Sequence, residues 1–202
     1  MIKYVFLRKE TMNLTRYLVA FVFSLALIIL ALVLFFSNNP KTNPAQLQQE
    51  ISRFSAYSKT NAVATLDING PIVSPSNHNE AKISVSSTEI NLQVMQGYDA
   101  SVIVNQTFPN SQNSFEAFLR ALYVNGFDSA PKTNSLSSPI GLCSLGDTYV
   151  FRLNRDNSSI VNAWITNCYG DVYTYQGNFQ NTLSLFQKQV PNYFQYINNL
   201  NF

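Results

Sequence analysis

The longest pattern along the chain is an apolar run without a polar break. Tyr17 to Phe36 is twenty residues with no charge, and Ser24 is its one serine or threonine. At about 1.5 Å of rise per residue the run spans about 30 Å, the thickness of a bilayer's hydrocarbon core. This predicts a transmembrane helix over 17–36. A core helix would carry polar residues at helical spacing, and this run carries none. It is longer than the roughly 7–15 apolar residues of a cleaved signal peptide. No small-x-small cleavage pattern or lipoprotein cysteine follows it, and no pilin-type processing site precedes it. An uncleaved signal-anchor is therefore expected.

Beyond the run, Ser37 to Asn43 is a polar stalk broken by Pro40. Asn43-Pro44 then reads as an N-cap followed by proline at the first helical position. Leu47, Ile51, Phe54 and Tyr57 continue at spacings of four, three and three, one apolar stripe on a membrane-proximal amphipathic helix. The stripe has three possible partners: its own domain, the bilayer surface or another protein.

From Asn61 the period changes to two. Ala62–Ile68 reads as a strand ending at the turn pair Asn69-Gly70, and Ser74 to Glu80 reads as a polar loop containing His78. Lys82–Ser86 and Glu89–Met95 form a hairpin that sets Ile83 and Val85 against Ile90, Leu92 and Val94. Gln96-Gly97-Tyr98-Asp99 turns the chain into a further strand, Ala100–Gln106. A helix follows over Phe115–Val124, with Asn113 as N-cap and Glu116 three residues on. Thr148–Leu153 and Ile160–Asn167 then flank a turn at Asn154–Ser158, Asp171–Tyr175 is a third strand, and a helix begins near Thr182. Pro191 should end or kink it.

The two helix starts share Asn-x-Gln-Asn-Ser/Thr, at Asn110 and Asn178. This suggests a duplicated strand-strand-strand-helix unit; the plainer account is that capped helix starts share chemistry. The expected fold is α+β, an antiparallel sheet with helices on one face, preceded by a single transmembrane helix. The organisation is a cytoplasmic tail over 1–16, the anchor over 17–36, stalk and membrane-proximal helix over 37–58, and an exported domain over 59–202.

Charge adds the topology. Lys3, Arg8, Lys9 and Arg16 precede the anchor, while only Lys41 and Arg53 lie within twenty residues after it. The N-terminus is thus expected in the cytoplasm and the large C-terminal part outside the membrane. Residues 1–36 carry +3 and residues 37–202 carry −1, so the basic excess belongs to the topology signal. The exported part has no electrostatic footprint for nucleic acid, which is excluded as a partner.

Cys143 and Cys168 are the only cysteines, and their midpoint falls inside the Asn154–Ser158 turn. Residues equidistant from a hairpin turn face one another, so a structural disulfide at the open end of that hairpin is expected. A redox or nucleophilic cysteine would want a Cys-x-x-Cys or a nearby basic partner, and neither is visible.

Candidate chemistry is sparse. His78 is the only histidine, with Glu80 two residues on; a base could be built from it, but a lone loop histidine is more often simply solvated. Asp147 and Asp171 flank the cysteine end of the hairpin, where they could approach one another. A calcium loop there lacks EF-hand spacing, and scattered acids give only a weak case for a paired-carboxylate hydrolase. No phosphate-cradling glycine loop or serine nucleophile motif occurs. No metal and no cofactor is expected, and no catalytic residue is assigned. His78, Glu80, Asp147 and Asp171 stand as candidate binding residues.

The order of landmarks carries a resemblance. Gly70-Pro71-Ile72-Val73 precedes the His78 loop, followed by Gln96-Gly97-Tyr98, Phe118-Leu119-x-Ala121-Leu122 and Gly126-Phe127. Cys143-x-x-Gly146-x-x-Tyr149, Trp164-x-Thr166-x-Cys168 and Leu185-Phe186-x-x-Gln189-Val190-Pro191-x-Tyr193 complete the series. Across residues 62–193 this resembles an uncharacterised family of single-pass, membrane-anchored exported proteins from bacteria of the candidate phyla radiation, of the Saccharibacteria type. The resemblance implies an envelope role and supplies no catalytic residue or ligand. The expectation is a membrane-anchored envelope protein with a non-enzymatic domain that binds an envelope or host-surface protein or a glycan. The alternatives are an envelope hydrolase with a carboxylate site and a structural subunit assembling through its anchor.

Overall fold

The computed structural model describes residues 17–31, 43–129, 139, 142–168, 173–198 and 200. The chain divides into two compact units, residues 1–46 and 47–202. In the first, α1 covers 17–31 with all its side chains exposed. Ser24 Oγ donates to the Phe21 carbonyl at 2.8 Å, so its hydroxyl is satisfied within the helix. Among the described residues no helix is long and apolar enough to cross a membrane. Positions 32–36 of the predicted span lie outside the described residues.

Helix α2, Pro44–Ser55, begins where the sequence places it: Asn43 Oδ1 accepts the Ala45 N–H at 3.0 Å. A 3-10 turn, Ala56–Lys59, continues it. Only the later part of the apolar stripe is used. Phe54 is buried and meets Tyr57, Tyr123 and Phe127 at ring separations of 5.9, 5.5 and 6.4 Å, while Leu47 stays exposed. The stripe therefore packs on its own domain, and the compact body starts before residue 59.

Six strands follow the period-two reading: β1 Ala62–Asn69, β2 Asn79–Val85, β3 Glu89–Gln96, β4 Ser101–Pro109, β5 Thr148–Arg155 and β6 Ser158–Thr166. They form one sheet in the order β4-β3-β2-β1-β5-β6, with every neighbouring pair antiparallel. Alternation sets the faces. Ala64, Leu66 and Ile68 of β1 are buried on one side, in line with Ala81, Ile83 and Val85 of β2 and with Leu153 and Phe151 of β5. The expected hairpin forms, with Ile83 opposite Leu92 and Val85 opposite Ile90, and it extends back to Asn79 so that Val94 faces Ala81.

Helices α3 (Gln112–Val124), α4 (Phe179–Gln189) and the short α5 (Tyr193–Ile197) supply the other half of this core. Its centre is aromatic: Phe186 meets Phe118 edge-on at 5.1 Å, and Phe151 lies 4.6 Å from Tyr175. Such pairs add about 0.5–1.5 kcal/mol beyond the area they bury. The architecture is α+β, an antiparallel six-stranded sheet with helices.

Several local expectations are corrected. The α3 N-cap is Ser111, not Asn113: its hydroxyl accepts the Ser114 N–H at 3.2 Å, and Glu116 pairs forward with Arg120 at 2.7 Å. Helix α4 starts at Phe179, with Asn178 Oδ1 accepting the Asn181 N–H at 3.1 Å, three residues before Thr182. Asn79 and Glu80 belong to β2 and not to the loop. The predicted strand Asp171–Tyr175 is not one over its described part, 173–175; there the Thr174 and Tyr175 N–H groups both donate to the Trp164 carbonyl at 2.9 Å.

With four meander strands before α3 and two before α4 among the described residues, the halves do not repeat. The caps Ser111 and Asn178 also miss the aligned register by one position. The shared residues reflect capping chemistry. Pro191 acts as expected: Val190 is extended before it, α4 has ended, and Asn192 takes a left-handed φ of 54°.

Candidate functional site

Antiparallel pairing brings the end of β1, the start of β2, the β3–β4 turn, the start of β5 and the end of β6 to one margin of the sheet. All the described candidate residues lie along this margin. Cys143 and Cys168 are bonded there, with Cα atoms 5.6 Å apart, just beyond the Thr148–Thr166 pair.

His78 is not a solvated loop residue. It is 5% exposed and held on three sides. Nδ1 lies 3.0 Å from the Pro71 carbonyl, Nε2 lies 3.2 Å from Glu80 Oε1, and the ring stacks at 4.3 Å on Tyr98. The local fold explains the pocket. Ser74-Pro75-Ser76-Asn77 makes a turn in which the Ser74 carbonyl accepts the Asn77 and His78 N–H groups. Gly97, at φ 77°, carries the chain round to donate its N–H to the His78 carbonyl. Tyr98 is fixed at its far end: its hydroxyl donates to the Val73 carbonyl at 2.7 Å and accepts the Val73 N–H at 3.1 Å.

Asp147 sits beside the cystine and is 7% exposed. Its Oδ2 accepts from Asn167 Nδ2 at 3.0 Å and from the Tyr149 hydroxyl at 3.1 Å. Asn167 Oδ1 in turn accepts the Asp147 N–H at 2.7 Å. Burial raises the Asp147 carboxyl above its ordinary 3.8, against the lowering effect of these two donors. Tyr149 is raised as well, by burial and then by the Asp147 charge. Asp171 lies outside the described residues. Asp147 is thus joined to Asn167 and Tyr149, and not to the His78–Glu80 pair.

Two cavities open along this margin. One, of about 370 Å³, is lined by Asn69, Gly70, Ile72, His78, Glu80, Tyr98, Pro139, Cys143 and Thr148. The other, of about 340 Å³, lies on the face of β1, β2, β3 and β5 with Asp67, Lys82, Gln93, Met95 and Arg152. They share Asn69 and Glu80, so Glu80 stands between them. Arg152 is spent on an ion pair with Asp67. Among the described residues the first cavity has one charged lining residue, Glu80, beside an apolar rim. Of its lining residues Ile72 and Tyr98 are exposed, as are Val73 and Leu142, next in sequence to Ile72 and Cys143, and Leu145 is 88% exposed. The rim is one structure, because the Ile72 N–H donates to the Ser144 carbonyl at 2.8 Å.

The roles of Tyr98 and Asn167 were missed from sequence. A tyrosine directly after a turn glycine, one connection away from the only histidine, was the available signal for Tyr98. Asn167 had none, since its partner is twenty residues distant. Among the described residues no group of three His, Cys, Asp or Glu could hold a metal ion. No protein-family model and no curated protein matches the chain.

Proposed function

We propose that the chain is a membrane-anchored envelope protein, single-pass with its N-terminus in the cytoplasm. Its extracytoplasmic domain binds a protein or glycan at the cystine margin of the sheet. The anchor rests on the twenty uncharged residues of 17–36 and the basic residues before them. The apolar side chains of α1, Phe21, Val22, Leu25 and Ile28 among them, are exposed and suit a lipid environment. The envelope role is also what the family resemblance implies.

The observation that carries the binding role is a cavity that holds the Glu80 carboxylate and is lined by exposed Ile72 and Tyr98, with exposed Val73, Leu142 and Leu145 on the segments that supply its lining. Exposed apolar clusters with a polar centre mark recognition sites. Tyr98 fits the part of an aromatic anchor whose conformation is fixed before binding. Binding is favoured over hydrolysis because His78 faces acceptors with both ring nitrogens. Each nitrogen is engaged by a protein oxygen, so neither is turned to a substrate.

The test compares the full chain in detergent with a Tyr98→Ala/Leu145→Ser variant for binding to immobilised envelope extract. The paired change should weaken capture at least tenfold, with the near-ultraviolet circular dichroism preserved. Val124→Ser, at an exposed apolar position on α3, should leave it unchanged. Equal capture by the paired variant, or equal loss with Val124→Ser, would remove the site from the proposal.

A further inference from the structure

A sheet of six strands has two edges, and this chain treats them differently. At the β6 edge the Trp164 carbonyl accepts two N–H groups from 174–175, and the Trp164 N–H donates to Thr174 Oγ1 at 2.8 Å. That strand is thereby closed to another chain at Trp164, toward its end. At the β4 edge, among the described residues, no backbone partner lies outside β3. β4 is nine residues long, exposed at seven of them, and Ser-Val-Ile-Val-Asn-Gln-Thr-Phe-Pro contains no charge. Natural edges are blunted with lysine, proline or inward charge, and a bulge is the usual further device. β4 has its irregularity at Ile103 and its proline at the last position, so Val104 to Phe108 remains regular and unblocked.

That stretch is self-complementary. In an antiparallel pair, residues directly opposite share a face. Val104 and Phe108 lie on the helix side, packed against the core cluster, whereas Asn105 and Thr107 lie on the open side with Asn91. A two-fold axis at Gln106 sets Val104 against Phe108 and Asn105 against Thr107. Apolar then meets apolar, polar meets polar, and no like charges meet. From this we infer that the β4 edge pairs with the β4 edge of a second copy, joining two sheets into one of twelve strands. With the other edge interrupted, the pairing closes at two copies and does not propagate into a filament. The inference is independent of what the cystine margin binds.

The test places a thiol on the axis. Gln106→Cys in the full chain faces its own copy across the axis, and the native cysteines are already bonded to one another. Mild oxidation should convert it to covalent dimer, while Ser159→Cys on β6 stays monomeric. Sedimentation of the unmodified chain in detergent should show a dimer, and Gln106→Lys, which sets like charges face to face, should shift it to monomer at least tenfold in dissociation constant. A monomeric wild type with no crosslinking at 106 would overturn the inference. So would a dimer that survives Gln106→Lys with no crosslink at 106, since association would then lie elsewhere. Unchanged far-ultraviolet dichroism in each variant excludes misfolding as the cause.

Discussion

Asp147 shows how a single carboxyl can be held and penalised at once. It receives hydrogen bonds from Asn167 and Tyr149, yet burial prevails and its pKa lies above 3.8. A raised folded-state value means that the native chain holds this proton more tightly than the unfolded chain. The group therefore costs no stability below the unfolded pKa and becomes destabilising as pH rises through the interval to the folded one. Asp147→Asn should remove that slope. Thermal midpoints of variant and wild type between about pH 3 and 7 should diverge in the variant's favour as pH rises through the interval, then run parallel. A constant offset at every pH would show that the proton is not taken up there. At this scale the sequence singled out positions that the structure brings to one margin of the sheet. His78, Glu80 and Asp147 stood out by chemical type alone. What they touch was not legible, because Tyr98 reaches His78 and Asn167 reaches Asp147 across separate strands.

Among the elements, the join between α3 and α4 is set by two glycines. Gly126 ends α3 at φ 77°, and a Cβ there would lie 3.0 Å from the Gly177 Cα. A Cβ on Gly177 would lie 2.5 Å from the Asn125 carbonyl oxygen and 2.7 Å from that of Gly126. These are backbone atoms that cannot swing aside. The contact is reinforced by the Asn178 N–H donating to the Asn125 carbonyl at 2.7 Å and by Asn181 Nδ2 donating to Asn125 Oδ1 at 2.9 Å. Gly177→Ala should therefore cost about 1–3 kcal/mol, the range for overpacking a tight site. Denaturant unfolding measures this as a lower midpoint at unchanged slope, and a neutral result would mean that the loop can shift. Strand facing was readable because period two survives wherever one face is buried, as in β2 and β3, whereas the β1–β5 pairing that sets the sheet order was not. Helix starts were misread by two or three residues because Ser111 and Asn178 cap the helices ahead of the first apolar periodic position. The Asp171–Tyr175 pattern looked like a strand because alternation alone cannot distinguish a paired strand from a segment that only touches an edge.

For the domain as a whole, the cystine joins the one margin of the sheet where loops, cavity and apolar rim coincide. Its two cysteines are separated by 25 positions, and closing a loop of that length stabilises the fold by about 3.5 kcal/mol if chain entropy dominates. That contribution acts on the unfolded chain, so it should lower protection everywhere by one common amount when Cys143 and Cys168 are both replaced by serine. The geometry adds a local effect. Ser144, next to Cys143, accepts the Ile72 N–H, and Asp147 and Asn167 bridge the two segments that carry the cysteines. Without the cystine these segments lose their tether, whereas Leu66 in the central strand β1 keeps neighbours on both sides. Amide exchange separates the two effects. In the doubly substituted chain, exchange at Leu66 should rise only by the global loss of stability, and exchange at Ile72 should rise beyond it. An equal rise at both would mean that the cystine acts through the unfolded state alone and does not hold the binding margin in shape.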